Sequence, residues 1–260
     1  MAYIAQSLDR LPKADTLLVG GSRQIGPDRM RRGVVASGVA LVALAAIGGA
    51  AFLLLGSHQA PAPLALGSPA ASGSTSSLAG DWKVGGGSEA GYRVSEQFIN
   101  QPAPTEAVAR TTEISGGLRV QGSGSTLQAS NLHFTADLAA LQSQDKYANY
   151  QVYQRDFFIR TIYLQTDQFP NADFNASRVS IPSGIETGPV SITVSGKLTV
   201  HGITKSVTTQ LQAQRSTSGI EVAGSINVDM RDFGVEVPSI SFTQAQPGVV
   251  IEYHLVLVHA

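Results

Sequence analysis

Along residues 190–213 apolar and polar side chains alternate in a way that predicts two strands and a tight turn. Val190, Ile192, Val194, Gly196, Leu198 and Val200 share one face, and Ser191, Thr193, Ser195, Lys197 and Thr199 share the other. A period of two with one apolar face marks a half-buried strand. Beyond His201 and Gly202, the residues Val207, Leu211 and Ala213 alternate with Ser206, Thr208, Gln210 and Gln212. Gly202 can supply the positive φ of a two-residue hairpin, and histidine is among the residues that tolerate it. The first strand spans roughly 36 Å at the usual rise per residue. Long antiparallel strands with one apolar face predict a barrel, and a barrel interior is a natural place for an apolar ligand.

The pattern recurs elsewhere. Residues 91–98 set Tyr92, Val94 and Phe98 against Arg93, Ser95 and Gln97, with Glu96 intruding on the apolar side. Residues 131–138 set Leu132, Phe134, Ala136 and Leu138 against Asn131, His133, Thr135 and Asp137. In 220–230, Ile220, Val222, Gly224, Ile226 and Val228 oppose Glu221, Ser225, Asn227 and Asp229. Residues 249–258 are apolar on both faces apart from Glu252 and His254, as expected of a strand covered on both sides. Residues 147–162 break the period. Their aromatic and aliphatic residues fall closer to helical spacing, which predicts a short helical lid ending before Phe169-Pro170. No internal repeat is present.

The N-terminal third differs in kind. Residues 33–55 hold no charge and no proline, and a run of that length crosses the roughly 30 Å hydrocarbon core of a bilayer. Arg29, Arg31 and Arg32 precede it, and no Lys or Arg follows before Lys83. The positive-inside rule then places residues 1–32 in the cytoplasm and the rest outside, as a single-pass protein of the cell membrane. A cleaved signal peptide is the competing reading, although its apolar region is usually about 7–15 residues. Met30 offers an alternative start that leaves a short basic lead. Residues 56–80 are Pro, Ala, Ser and Gly with scattered Leu and read as a flexible linker. A domain over 81–260 remains, long enough for one core.

Composition narrows the chemistry. Residues 1–32 carry six Lys/Arg and three Asp/Glu, whereas 33–260 carry 12 and 16. The outer part is mildly acidic and offers no footprint for nucleic acid. With 0 cysteines, disulfides, thiolate metal sites and thiol nucleophiles are excluded. The histidines lack metal-ligand spacing apart from His254 and His259, and there is no G-x-S-x-G or phosphate loop. No catalytic constellation emerges, so a non-enzymatic role is expected.

Four blocks then carry a resemblance: WKVGGGSEAGYRV (82–94), RDFFIRTIYLQTDQFPNADF (155–174), GKLTVHGITKSV (196–207) and RDFGVEVPS (231–239). Their order resembles the YceI-like family of lipocalin-like polyisoprenoid-binding proteins, and the anchored GYRV form is similar to an actinobacterial subgroup. The family often shows an Asp and a His-Ser pair where this chain has Gly85, Gly86, Gly87 and Ser88. The resemblance implies an all-β fold: an elongated eight-stranded antiparallel lipocalin-like barrel with a helical excursion, preceded here by one transmembrane helix. It implies a long isoprenoid, an isoprenoid quinone such as menaquinone, a polyprenyl phosphate or a similar amphiphile as ligand, with no other cofactor. On this reading the cavity is lined by Val94, Phe98, Tyr150, Tyr153, Phe157, Phe158, Phe169, Phe174, Ile192, Val194, Leu198, Ile226, Val228, Ile251 and Tyr253. Glu96, Arg155 and His201 are the candidate head-group contacts, each with a plainer alternative: a barrel-mouth charge, an ion pair fixing the helix, and a turn. A barrel packed solid by its own side chains, acting as an envelope structural or interaction domain, is the competing function.

Overall fold

Alternation makes the strands, and turns with glycine or proline end them. The computed structural model describes residues 60–68, 77–99, 101–123, 126–146, 152–240 and 242–260. All belong to one of the two units into which the chain divides, Leu55–Ala260. The expected tail and membrane span over 1–55 lie outside the described residues. Among the described residues no helix is long and apolar enough to cross a membrane.

Twelve strands form one antiparallel sheet: β1 (Gly80–Val84), β2 (Glu89–Phe98), β3 (Thr105–Thr111), β4 (Ile114–Gln121), β5 (Gln128–Asp137), β6 (Gln142–Ser143), β7 (Asn171–Ser180), β8 (Val190–Val200), β9 (Ile203–Arg215), β10 (Ile220–Asp229), β11 (Ser239–Ile240) and β12 (Thr243–His259). β12 pairs with β10 along one edge and with β2 then β1 along the other. β1 and β2 are therefore two halves of one kinked wall strand. The same holds for β3 and β4, which pair with β2 and β1 respectively. Counted this way, eight walls close into a barrel: β1/β2, β3/β4, β5, β7, β8, β9, β10 and β12.

The kink at Gly85 to Ser88 has a local cause. The Ser88 hydroxyl donates to the Gly85 carbonyl (2.9 Å) and accepts the Val256 amide (2.9 Å), standing in for ladder bonds across the break. The β8–β9 turn is as the alternation predicts. His201 and Gly202 have φ of 51° and 73°, and Val200 pairs with Ile203. The glycine also admits a ring, since a Cβ there would lie 2.8 Å from Phe169.

The two ends differ. At the end beyond Leu257, a packed cluster of Leu78, Trp82, Val120, Leu127, Ile181, Ile185, Ile220 and Leu257 fills the bore. Trp82 stacks on His259 at 3.9 Å and donates to the Leu78 carbonyl at 2.9 Å. At the opposite end, called here the mouth, lie the β8–β9 turn, the end of β10, the start of β12 and the end of β2. There β6 and a helix fill the space beside β3. The helix is α1 (Val152–Phe158), continued by a π-helical turn, Ile159–Tyr163. The expected helical lid thus exists over 152–163, while residues 147–151 lie outside the described residues.

Two stretches differ from expectation. The alternation picked out no strand in 105–121 or 171–180, yet both are wall strands. Ile114, Leu118, Val120, Phe174 and Val179 do point inward, but small residues such as Ala107, Ala109, Gly116 and Ala172 interrupt the apolar face. Residues 60–68, expected as free coil, lie along the outer wall. The Pro61 and Ala62 carbonyls accept from Arg93 (2.8 Å) and Arg110 (2.7 Å). The Leu64 and Gly67 amides donate to Glu252 (3.3 Å) and Glu221 (3.2 Å). This strap covers the outer face of β12, which explains why that strand is apolar on both sides. Glu252, 2% exposed, is also paired with Arg110 at 2.8 Å and Arg93 at 3.5 Å.

Candidate ligand cavity

The inward faces of the wall strands leave the bore incompletely filled. An upper lobe of about 160 Å³ is walled by residues that include Phe174, Ile192, Val194, Leu198, Leu211, Ile226, Tyr253 and Leu255. A lower lobe of about 150 Å³, nearer the mouth, is walled by residues that include Tyr92, Val94, Glu96, Tyr163, Leu164, Val228, Met230, Phe233 and Val249. Ala90, Ala136, Ala172 and Ile251 border both, so the lobes are neighbours along one bore. Each is of the size that holds one benzene in an engineered protein cavity of about 150 Å³. The space suits a slender apolar chain.

Glycines shape this space by letting rings lie flat against the wall. A Cβ at Gly196 would sit 2.6 Å from the Phe174 ring, and one at Gly224 2.6 Å from the Tyr253 hydroxyl. The upper lobe has a buried polar anchor: the Tyr253 and Thr209 hydroxyls are 2.8 Å apart, and Thr209 also donates to the Ser225 carbonyl at 2.8 Å. Burial pushes the Tyr253 phenol up to about 12, so it stays protonated.

Charge gathers only beside the lower lobe. Arg155, on α1 and 6% exposed, pairs with Asp145 through both terminal nitrogens, one at 3.0 Å, and donates to the Ser143 hydroxyl at 2.6 Å. Glu96 lies 3.8 Å from it, and Asp156 accepts from both the amide and the hydroxyl of Ser143. Asp145 also accepts the Val108 amide at 3.0 Å. Burial raises the Glu96 carboxyl above the usual carboxylate range, against the pull of Arg155. Burial likewise raises the Tyr92 phenol. The lower lobe therefore presents a protonated phenol and a carboxyl whose pKa burial has raised. The nearby cluster holds the Arg155 guanidinium against Glu96 and Asp145, with Asp156 joined to it through the Ser143 hydroxyl. Arg155 Nε has no hydrogen-bond partner among the described residues.

The residues named from the sequence separate clearly. Val94, Phe174, Ile192, Val194, Leu198, Ile226, Val228, Ile251, Tyr253 and Glu96 line the lobes. Phe98 is buried but faces Phe242, with ring centroids 6.4 Å apart, and lies outside both. Phe157 and Phe158 are 56% and 47% exposed: α1 turns its Arg155 side to the barrel and those two rings to solvent. Phe169 packs edge-on against His201 at 4.5 Å. His201 Nδ1 contacts the Phe233 carbonyl at 3.3 Å, so His201 serves the turn and lines neither lobe. Arg155 backs the lower lobe through Glu96. Tyr150 lies outside the described residues, and of Tyr153 only its place on α1 is described. Sequence reasoning missed Tyr92 as a polar liner and Asp145 as the partner of Arg155. Tyr92 shared the face of Val94, which was a usable signal. Nothing local to Asp145 pointed to Arg155.

Among solved structures, the chain is similar to BcnA of Burkholderia cenocepacia, with 18% identity and a TM-score of 0.44 over 64% of this chain and 96% of that one. It is similar to a polyisoprenoid binding domain from Saccharophagus degradans, with 15% identity and a TM-score of 0.48 over 70% and 99%. A third likeness is to the YceI protein of Campylobacter jejuni, with 13% identity and a TM-score of 0.40 over 60% and 89%. No curated protein matches the chain. The YceI-like domain matches residues 88–257, from the kink before β2 to the plugged end of β12. That match takes in more than half the chain, which therefore belongs to the YceI-like family.

Proposed function

We propose that the barrel binds an amphiphile with a slender isoprenoid tail and an uncharged hydrogen-bonding head, and acts as a membrane-tethered carrier or store outside the cytoplasm. One observation carries the reading: the bore is predominantly apolar, and among the described residues its charged groups, Glu96 with Arg155 and Asp145 behind it, gather at the lobe nearest the mouth. A tail lies along the two lobes, and the head rests by Tyr92 and Glu96. Two carboxyl groups, Asp145 and Glu96, already face the one guanidinium of Arg155, which disfavours a phosphate head. A quinone carbonyl can accept from the Tyr92 phenol, and an isoprenoid alcohol can also donate to Glu96. The family membership supports a lipid-binding role, and one similar solved structure is described as a polyisoprenoid binding domain.

Energetics favour holding over extracting. Moving an isoprene unit from water to an apolar site gains roughly 3–4 kcal/mol at about 0.8 per carbon group. A lipid that starts in the bilayer has that gain already. Fit, head-group bonds and proximity must supply the difference, and the apolar run over 33–55 is the proposed source of proximity.

The test is mass spectrometry of organic extracts of the purified full chain, followed by uptake of isoprenoid quinone against polyprenyl phosphate. Quinone or isoprenoid alcohol in the extract, with phosphate forms taken up at least tenfold less well, is the expected result. A chain that yields no lipid and takes up neither would replace this reading with that of a packed structural barrel.

A further inference from the structure

Among the described residues the exposed large apolar side chains are confined to one end of the barrel. Ile99 (71%) follows β2, Ile240 (45%) ends β11 and Phe242 (44%) precedes β12. Phe157, Phe158 and Ile162 (56%, 47% and 53%) stand on α1 and its π-helical turn. Ile203 (38%) begins β9 beside the His201 turn.

The pairing places all of them at the mouth. Phe98 pairs with Thr243 and Ser239 with Gln244. Val200 pairs with Ile203, and α1 is pinned to β2 by Arg155 at Glu96. The opposite end carries none of them and is plugged by Trp82 and Leu257. A chance scatter of surface apolar residues needs no explanation, but a one-ended ring drawn from separate elements marks an interaction surface.

We propose that this crown seats the mouth in the apolar boundary of a lipid bilayer, so that a tail passes between bilayer and bore without crossing water. This rests on the lipid-binding reading and adds where the lipid enters. Two features choose a bilayer over a protein partner. The crown is continuous with the bore, since Tyr163 and Leu164 just past the exposed helix face line the lower lobe. The strap also runs away from the mouth: Pro61 is held at Arg93, which pairs with Val250, Leu64 is held at Glu252 of β12 itself, and Gly67 is held at Glu221, which pairs with Val256, so the anchors step along β12 toward the plugged end. The strap's first described residues therefore lie nearer the mouth than its last. Only residues 56–59 separate the strap from the apolar run over 33–55, a reach of at most about 18 Å. Charges of both signs, including Lys205, Arg231, Asp232 and Glu236, border the crown. The contact is thus apolar insertion and needs no anionic lipid.

The chain has 0 cysteines, which makes the test direct. Ile162→Cys, Ile240→Cys and Thr217→Cys, the last in the turn at the plugged end, are each labelled with an environment-sensitive fluorophore on the full chain. Each is reconstituted in phosphatidylcholine vesicles with and without nitroxide-labelled phosphatidylcholine, and Trp82 emission reports the fold. Both mouth probes are expected to be quenched at least threefold more than the probe at 217. Equal quenching at all three positions overturns the proposal. Isoprenoid retained with unquenched mouth probes overturns the crown alone. Quenched mouth probes on a chain that retains no isoprenoid uphold the crown and overturn the binding reading.

Discussion

At the residue scale Glu96 is the sharpest case. It sits on an otherwise apolar face, 8% exposed, and burial holds its carboxyl above the ordinary range. A carboxyl whose folded pKa is raised binds protons more tightly folded than unfolded, so folding is weakened as pH rises through its titration. Glu96→Gln is accordingly expected to raise the thermal midpoint at neutral pH. The gain should vanish on acidification below the unfolded carboxylate range, and calorimetry from about pH 3 to pH 8 reads it. A gain that persists unchanged at low pH would place the effect elsewhere. Gly196 makes a second prediction. Gly196→Ala sets a Cβ 2.6 Å from both the Asn175 carbonyl and the Phe174 ring, a strain of about 1–3 kcal/mol. A lower urea midpoint with unchanged slope is the expected result.

At the element scale the strap and α1 matter most. Each is held to the barrel by buried charge. Glu252 gathers Arg110, Arg93 and the Leu64 amide into one place. Removing one partner of a buried pair leaves the others uncompensated at about 3–5 kcal/mol. Arg93 keeps Glu106 at 2.7 Å and the Pro61 carbonyl, and Arg110 is partly solvated, so the lower figure applies here. Glu252→Ala is expected to cost about 3 kcal/mol, with faster hydrogen exchange at the Leu64 amide. Loss of stability with the strap amides still protected would show that the strap is held otherwise. On α1, Arg155 answers Asp145, so Arg155→Met should loosen the helix and expose the lower lobe. Faster exchange confined to residues 152–164 would report this.

At the scale of the whole molecule the barrel is asymmetric: one end is plugged, the other is rimmed with exposed apolar residues, and the charged cluster lies on the rimmed side. This polarity gives the bore a direction. Filling the upper lobe with Val194→Phe is expected to lower bound isoprenoid several-fold while the far-end cluster around Trp82 keeps its native emission. Unchanged lipid content would mean that the tail does not reach this lobe.

Much of this architecture was legible from short-range pattern. The period of two in 190–213 determined both strands, their inward face and the turn, because side-chain direction in a strand follows from backbone geometry alone. The same logic placed Val94, Ile226, Val228 and Glu96 inward, and the two-faced apolarity of 249–258 foretold cover on its outer side. Tertiary structure alone decided which segment supplies that cover, since nothing in Pro-Ala-Leu composition marks nine residues as docked. It also decided which way α1 faces. Phe157 and Phe158 read as lid lining because aromatics are usually buried, yet the helix is oriented by Arg155, whose charge must meet Asp145, ten residues away in sequence but adjacent across β6. Contacts that depend on where two distant segments meet leave no periodic trace along the chain. Such contacts set the plug, the pairing of buried charges and the crown at the mouth.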